Sequence, residues 1–204
     1  STILNILAGL LVADSCIVTV DNKEVKGISN HFSYMPQSDL LLPWKTILDN
    51  VTLYGQINGN RKEAVEQAKQ EFKRFGLDGY QDAYPSQLSG GMRQRAAFLR
   101  TALCKAEILL LDEPFGALDV ITRNDMQDWL LNLRKEYNRT NLLVTHDIDE
   151  ALYLADRILI LSNKPSRIIK EIDLSSIEKN RDWLFGQGEL KKEIFELLKG
   201  ENNS

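Results

Sequence analysis

Two groups of residues in the middle of the chain have types and a spacing suited to phosphate and metal chemistry. The first is the Ser-Gly-Gly turn at 89–91, which opens a stretch of helical character. The first N–H groups of a helix have no partner within it, and the helix dipole favours an anion there. The second is the apolar run 108–111 followed by Asp112 and Glu113. Such a run predicts a buried parallel strand that delivers its carboxylates to a crevice at the sheet edge.

Each group alone also has an ordinary explanation. A Ser-Gly-Gly sequence is most often only a turn, and two acids after a strand are also found where a sheet edge meets solvent. Their order and separation are more specific. LSGGMRQ at 88–94 resembles the signature sequence of the ATPase subunits of ABC transporters, and LLLDEP at 109–114 resembles the Walker B strand of the same family.

This resemblance implies an α/β fold, a three-layer P-loop NTPase (ABC ATPase) core with an inserted helical subdomain. The ATPase domain is expected at residues 1–170, with the helical subdomain at about 45–105, and a C-terminal helical tail at 171–204. Hydrophobic patterns and turn residues support it locally. They predict strands at 16–20, 23–25, 32–37, 108–112, 141–145 and 157–161, a marginal strand after 163–167, and helices at 61–75, 92–103, 120–137 and 148–155.

The resemblance also implies a catalytic site. Asp112 matches the Mg²⁺ ligand, and Glu113 matches the general base or the group that orients the attacking water. Gln37, after a predicted strand, matches the glutamine that reaches the metal and the water. His146 matches the switch histidine that contacts the γ-phosphate. The implied metal ligands are Ser1, Gln37 and Asp112, although a lone histidine or a glutamine after a strand often has only a structural role.

ATP is the implied nucleotide, and in this family it lies between two subunits of a head-to-tail dimer. The implied nucleotide contacts are Ser1, Thr2, Ser89, Gly90, Gly91 and Asp119. Asp119 matches an aspartate that bridges the two subunits, and a local role as a helix N-cap is compatible with the same residue. The three arginines of the signature helix, at 93, 95 and 100, receive no catalytic role, because solvated helices commonly carry such charges.

The first ten residues, STILNILAGL, resemble the helix that follows a phosphate-binding loop. Ser1 then takes the hydroxyl position of G-x-x-x-x-G-K-[ST], whereas the glycines and the lysine of that motif are absent. We expect the chain to be truncated inside this loop. The full-length protein is expected to hydrolyse ATP, and the chain as given to be inactive.

An apolar group follows Gln37 and is costly to expose unless something covers it. It consists of Leu40, Leu41, Leu42, Pro43 and Trp44. The group either packs on the chain's own helical subdomain or receives a short cytoplasmic helix from a transmembrane permease subunit. LLPW in this place resembles the ATPases of nitrate, sulfonate and taurine importers. The implied partners are permease subunits, a second ATPase subunit and, indirectly, an extracytoplasmic solute-binding protein.

Composition agrees with a single domain or a domain with a subdomain, since 43% of the 204 residues are hydrophobic. The net charge of −4 argues against a general nucleic-acid binder. Cys16 and Cys104 lack a CxxC partner and are predicted to be buried thiols. No apolar run approaches the length of a membrane span, so attachment to the cytoplasmic face of the membrane is expected to come through a partner.

The predicted function is an ATP-binding and ATP-hydrolysing subunit that powers import of a small solute. A non-hydrolysing regulatory or interaction protein of the same fold, or an inactive fragment without the phosphate loop, is the alternative. An ABC ATPase of DNA repair or translation is a third hypothesis. The acidic charge and the single cassette count against it.

Overall fold

The computed structural model describes residues 1–137 and 139–202, without the side chains of 133–138 and 201–202. The chain forms two compact units, Ser1–Val144 and Thr145–Ser204. A domain boundary near residue 170 therefore stays a prediction.

The first unit is mixed α/β and contains most of the predicted elements. Its helices are α1 (Thr2–Leu7), α2 (Ile47–Val51), α3 (Leu53–Ile57), α4 (Arg61–Phe72), α5 (Gly90–Ala102) and α6 (Val120–Tyr137), and its strands are β1 (Thr19–Val20), β2 (Lys23–Glu24), β3 (Phe32–Met35), β4 (Ile108–Asp112) and β5 (Thr140–Val144). A single 3-10 turn is described at Pro85–Gln87.

The central sheet is parallel, with the strand order β3-β4-β5. On one face Leu110 packs against Leu4 and Ala8 of α1. On the other face the Ser33 hydroxyl donates to the Thr101 carbonyl of α5 at 3.0 Å. Because helices cover both faces of the sheet, the predicted three-layer architecture is confirmed.

Four aromatic rings join the helical part of this unit to α6. Phe75, Phe98, Phe115 and Trp129 meet edge to face, with ring centroids 4.6 to 6.2 Å apart. The indole N–H of Trp129 also donates to the Glu71 carboxylate at 3.2 Å, so the buried ring has a polar partner. The sequence places Met126, Trp129, Leu130 and Leu133 on one apolar face of α6, which predicts core positions. The first three are buried, and the side chain of Leu133 lies outside those described.

The β1-β2 hairpin is shorter than its sequence indicates. The ladder joins Thr19–Val20 to Lys23–Glu24, and one further backbone bond runs from the Val25 N–H to the Val18 carbonyl at 2.8 Å. The predicted strand residues before Thr19 otherwise lack regular structure. Asp21 and Asn22 both have positive φ, 49° and 62°, which fits a two-residue type I′ turn. The irregular segment also leaves Cys16 exposed, so its predicted burial is wrong. Cys104 is partly buried, and burial raises the pKa of its thiol.

Two helix boundaries differ from the prediction for local reasons. Helix α4 ends at Phe72 rather than at residue 75, and the chain turns through Gly76 at φ +61°. Helix α5 begins at Gly90 rather than at Met92, because the Ser89 side chain caps it.

The second unit contains α7 (Ile148–Leu154), β6 (Arg157–Leu161), β7 (Ile168–Asp173), α8 (Arg181–Phe185) and α9 (Gly188–Asn202). Strands β6 and β7 pair with each other in an antiparallel sheet of their own. Helix α7 packs against α8 and α9. The helical spacing of Leu190, Ile194, Leu197 and Leu198 predicts one apolar stripe on α9 that packs on the core. Ile194 is buried, and the three leucines are half-buried.

Candidate nucleotide site

Asp112 ends β4 with a side chain that is only 4% exposed. The Tyr34 hydroxyl donates to Asp112 Oδ2 at 3.5 Å, and the Ser1 backbone nitrogen lies 3.9 Å from Oδ1. Burial, and then the negative charge of Asp112, raise the pKa of Tyr34. No lysine or arginine within the described residues forms an ion pair with Asp112. A buried carboxylate with such long contacts fits a site for a cation.

Glu113 follows directly, in a backbone conformation that L-residues rarely adopt, with φ +48°. Its N–H donates to the Val144 carbonyl of β5 at 2.9 Å, so the neighbouring strand fixes the turn. The Gln37 side-chain amide donates to Glu113 Oε2 at 3.0 Å. Strained residues of this kind cluster at functional sites. The hydrogen bond brings Gln37 and Glu113, two of the predicted catalytic residues, into direct contact.

A cleft of about 630 Å³ opens at this edge of the sheet. Ser1, Gln37 and Asp112, the three predicted metal ligands, all line it. Hydroxyl, amide and carboxylate oxygens are the donors that Mg²⁺ prefers, so the residues present fit this ion. Thr2, the first residue of α1, is exposed beside Ser1.

The signature turn begins α5, and the Ser89 hydroxyl accepts the Met92 N–H at 3.3 Å. A Cβ added at Gly90 would have the Arg93 guanidinium as its nearest neighbour, at 3.9 Å. A Cβ at Gly91 would have the Ala117 carbonyl at 3.5 Å, which is ordinary contact. The chain's own packing therefore does not require either glycine. Open space in front of free N–H groups fits the close approach of an anionic ligand.

Gln94 is a residue of this helix that the sequence did not single out. Its side chain is buried, and the amide donates to the Pro114 carbonyl at 3.3 Å. It thereby joins the signature helix to the segment that follows Glu113. A single side-chain-to-backbone bond across twenty residues leaves no periodic pattern in the sequence.

Asp119 precedes α6 and accepts the Thr122 N–H at 3.0 Å. Hydrogen bonds from the backbone and the side chain of Thr122 hold the pKa of Asp119 below its ordinary value. The role as a helix N-cap is thus confirmed. A contact of Asp119 with a second subunit stays a prediction.

His146 belongs to the second unit and follows Val144, the last residue of β5, by two positions. It lies in a turn fixed on both sides. The Thr145 hydroxyl donates to Glu150 Oε2 at 2.7 Å and accepts the Asp147 N–H at 3.0 Å. Asp147 in turn caps α7. The role of His146 toward a nucleotide stays a prediction.

The apolar group at 40–44 divides between core and surface. Leu40 and Trp44 are 62% and 71% exposed, and Pro43 is exposed as well. Leu41, in contrast, is 8% exposed and packs inside, and Leu42 is half-buried. The expectation that all five residues face a partner is therefore wrong for Leu41, whose side chain is buried within the unit.

A parallel sheet with carboxylates at its edge, a facing cleft and a glycine turn at a helix start are features typical of the P-loop class of ATPases. The sequence model of the ABC transporter family matches residues 1–116, and the chain belongs to this family. None of the helices in the described ranges is long and apolar enough to cross a bilayer.

Relatives and solved structures agree with this membership. The chain is 44% identical to an uncharacterised ABC transporter ATP-binding protein of Methanocaldococcus jannaschii, covering 98% of the chain and 76% of that protein. It is 48% identical to the formylaminopyrimidine import ATP-binding protein ThiZ of Halalkalibacterium halodurans, over 81% and 69% of the two chains. It is 38% identical to the taurine import ATP-binding protein TauB of Rhizobium johnstonii, over 88% and 69%.

Among solved structures, the fold is similar to that of MJ0796, a bacterial ABC transporter cassette. In a dimeric post-hydrolysis state bound to ADP and Pi, that cassette is 29% identical with a TM-score of 0.75, over 86% of this chain and 81% of that one. The matched proteins are transporter ATPases, which favours ATP hydrolysis over the non-hydrolysing alternative.

Proposed function

We propose that this chain is the ATP-binding and ATP-hydrolysing subunit that powers import of a small solute through a membrane ABC transporter. The hydrogen bond between Gln37 and Glu113, beside the buried Asp112, carries the proposal. The relatives named for taurine and formylaminopyrimidine import support a small solute of the nitrate, sulfonate or taurine type, or a related organic compound.

Asp112, Ser1 and Gln37 would hold Mg²⁺, and Ser1 and Thr2 would contact the phosphates. The bound ion neutralises negative charge on the phosphate groups of ATP. Glu113 accepts a proton from the attacking water or orients it, and Gln37 fixes the direction of the Glu113 carboxylate through its amide. His146 contacts the γ-phosphate from its fixed turn.

Hydrolysis takes place in a head-to-tail dimer. Ser89, Gly90 and Gly91 bind the nucleotide held by the other subunit, and Asp119 bridges the two subunits. The turn offers N–H donors, and the nearby Arg93 guanidinium is already paired with Asp39, so a second surface supplies the positive charge. The open space at Gly90 and the dimeric state named for MJ0796 support this arrangement.

The dimer is tested by Gly90→Val in the protein expressed from its complete gene. The added side chain has open space within one subunit but would occupy the place of the partner's nucleotide. We expect normal folding, loss of the ATP-dependent dimer in sedimentation and at least about tenfold slower hydrolysis. Gly188→Val is the matched control, because Gly188 also opens a helix and has nothing near its Cβ position. A Gly90→Val protein that dimerises and hydrolyses ATP normally would refute the arrangement.

Leu40, Pro43 and Trp44 form the surface that binds the permease subunits, which hold the protein at the cytoplasmic face of the membrane. Trp44→Ala is expected to reduce co-purification with the permease while ATP binding stays unchanged. Ile57→Ala is the control, since Ile57 is an equally exposed apolar residue of the same unit, at 75%. Equal co-purification of both variants would exclude this surface.

A further inference from the structure

The backbone between Gln37 and the exposed permease surface is held by one arginine of the signature helix. Arg100 Nη2 donates to the Asp39 carbonyl and Nη1 to the Leu40 carbonyl, both at 2.7 Å. Leu40 has φ +42°, a conformation that a leucine avoids unless its surroundings impose it. The planar guanidinium fork fixes two successive carbonyls at this strained residue, which a lysine ammonium cannot do equally well.

A second arginine lies two helical turns earlier on the same face of α5. Arg93 Nε donates to Asp39 Oδ2 at 3.0 Å, and its Nη1 donates to the Leu88 carbonyl at 2.9 Å. Asp39 Oδ1 accepts the Leu41 N–H at 3.1 Å. Arg93 therefore connects the signature turn, through one guanidinium, to the carboxylate that organises the segment after Gln37.

The far end of the segment is fixed as well. Asn50 of α2 is fully buried and binds the backbone of Leu42, Lys45 and Thr46 at 2.7 to 3.1 Å. Residues 39–46 are thus held from α5 on one side and from α2 on the other. The exposed Leu40 and Trp44 project from a preformed segment, because its backbone is bound along its length.

We propose that Arg93 and Arg100 are positioning residues that make the permease surface at 40–44 move as one body with the signature helix α5. When the dimer closes on ATP and the signature turn is displaced, the permease surface is then displaced with it, because the segment 39–46 does not deform. The inference deepens the proposed function and rests on it. It assigns the two arginines to coupling and not to the chemical step.

The test uses Arg100→Lys and Arg93→Lys in the assembled transporter, which keep the charge and remove the fork. Arg61→Lys is the matched control, since Arg61 is exposed and, among the described residues, pairs only with Asp49, at 3.2 Å. We expect amide hydrogen exchange at 39–44 to rise about tenfold in the two variants, with α5 unchanged. Permease-stimulated ATP hydrolysis falls about fivefold or more, while the basal rate of the isolated subunit stays within about twofold.

Two results would overturn the proposal. If the permease still stimulates ATP hydrolysis fully in Arg100→Lys, the hydrogen bonds of Arg100 to the segment 39–46 do not couple α5 to the permease. If the basal rate is lost, Arg100 takes part in catalysis. If Arg100→Lys fails to fold, Asp39→Asn decides instead, because its one side-chain oxygen can still accept the Leu41 N–H while the oxygen that binds Arg93 becomes an amide donor, so the contact with Arg93 is lost. A different result would refute the proposed function itself, namely a wild-type protein that neither hydrolyses ATP nor binds a permease.

Discussion

Replacing Asn50 with alanine tests how the permease segment is built. The Asn50 side chain accepts the Leu42 N–H at 2.7 Å and donates to the carbonyls of Leu42, Lys45 and Thr46. Two of these carbonyls keep a second partner, because Leu42 also accepts the Lys45 N–H and Thr46 accepts the Asn50 N–H. In the described part of the chain, the Leu42 N–H and the Lys45 carbonyl have no other hydrogen bond.

The expected loss follows from these two groups. Each partly buried group left without a partner costs about 1–3 kcal/mol, so Asn50→Ala should lower the free energy of unfolding by roughly 2–6 kcal/mol. Asn50→Asp keeps the acceptor for Leu42 but removes the donors and buries a charge. It should therefore be at least as destabilising.

Urea unfolding followed by circular dichroism measures this difference as a shift of the midpoint at constant slope. Asn58→Ala is the control, because the Asn58 side chain is exposed and, within the described ranges, bonds only to the Tyr54 carbonyl, at 2.8 Å. The control should change stability by no more than about 0.5 kcal/mol. If Asn50→Ala lowered the free energy of unfolding by less than about 1 kcal/mol, water would have to replace all four hydrogen bonds of Asn50, and the expected cost of the two unpaired backbone groups would be refuted.

Two further predictions concern the turn that follows α1 and the N-cap of α6. Gly9→Ala should destabilise by at least about 2 kcal/mol, because φ is +74° and the new Cβ would lie 2.1 Å from the Gly27 carbonyl carbon. Gly59 has the same φ as Gly9 but open space around it, so the difference in stability loss between Gly59→Ala and Gly9→Ala, measured by thermal unfolding, gives the cost of the steric clash. Equal losses in the two variants would contradict a clash at Gly9. The pKa of Asp119 in the folded protein lies below its ordinary value of 3.8. The ionised Asp119 cap therefore stabilises the protein fully above pH 3.8, and this contribution disappears as the pH falls through the folded-state pKa. Asp119→Asn keeps the cap without the charge, so its acid unfolding should show a weaker pH dependence; an unchanged acid profile would be the contrary result.

The strand and helix that carry the strongest patterns were predictable from sequence. The apolar run gave β4 at Ile108–Asp112, and the 3.6-residue period gave α6 at Val120–Tyr137. The placement of Ser1, Gln37 and Asp112 around one cleft agrees with the order of the motifs. These features are local or follow from the carboxyl edge that parallel strands share.

Other features depend on contacts that no local pattern encodes. Arg93 and Arg100 reach Asp39 and Leu40 across more than fifty residues, and the charges alone indicate only a solvated face. The burial of Leu41 beside the exposed Leu40 depends on a strained φ that the residue type does not favour. Cys16 lies in an apolar sequence whose strand begins three residues later than its pattern suggests.

The most direct test of the site is the rate of ATP hydrolysis at saturating Mg²⁺ and ATP for Glu113→Gln, in the protein expressed from its complete gene. Glu113 is expected to act on the water, so the rate should fall about 10²–10⁴-fold while ATP affinity is kept and the ATP-bound dimer accumulates. Glu107→Gln is the control, because Glu107 precedes the same strand and its exposed side chain pairs with His31 alone in the part of the chain that the structure describes. A Glu113→Gln protein that hydrolyses ATP at the rate of the control would contradict the assignment of Glu113 and, with it, the account of this site.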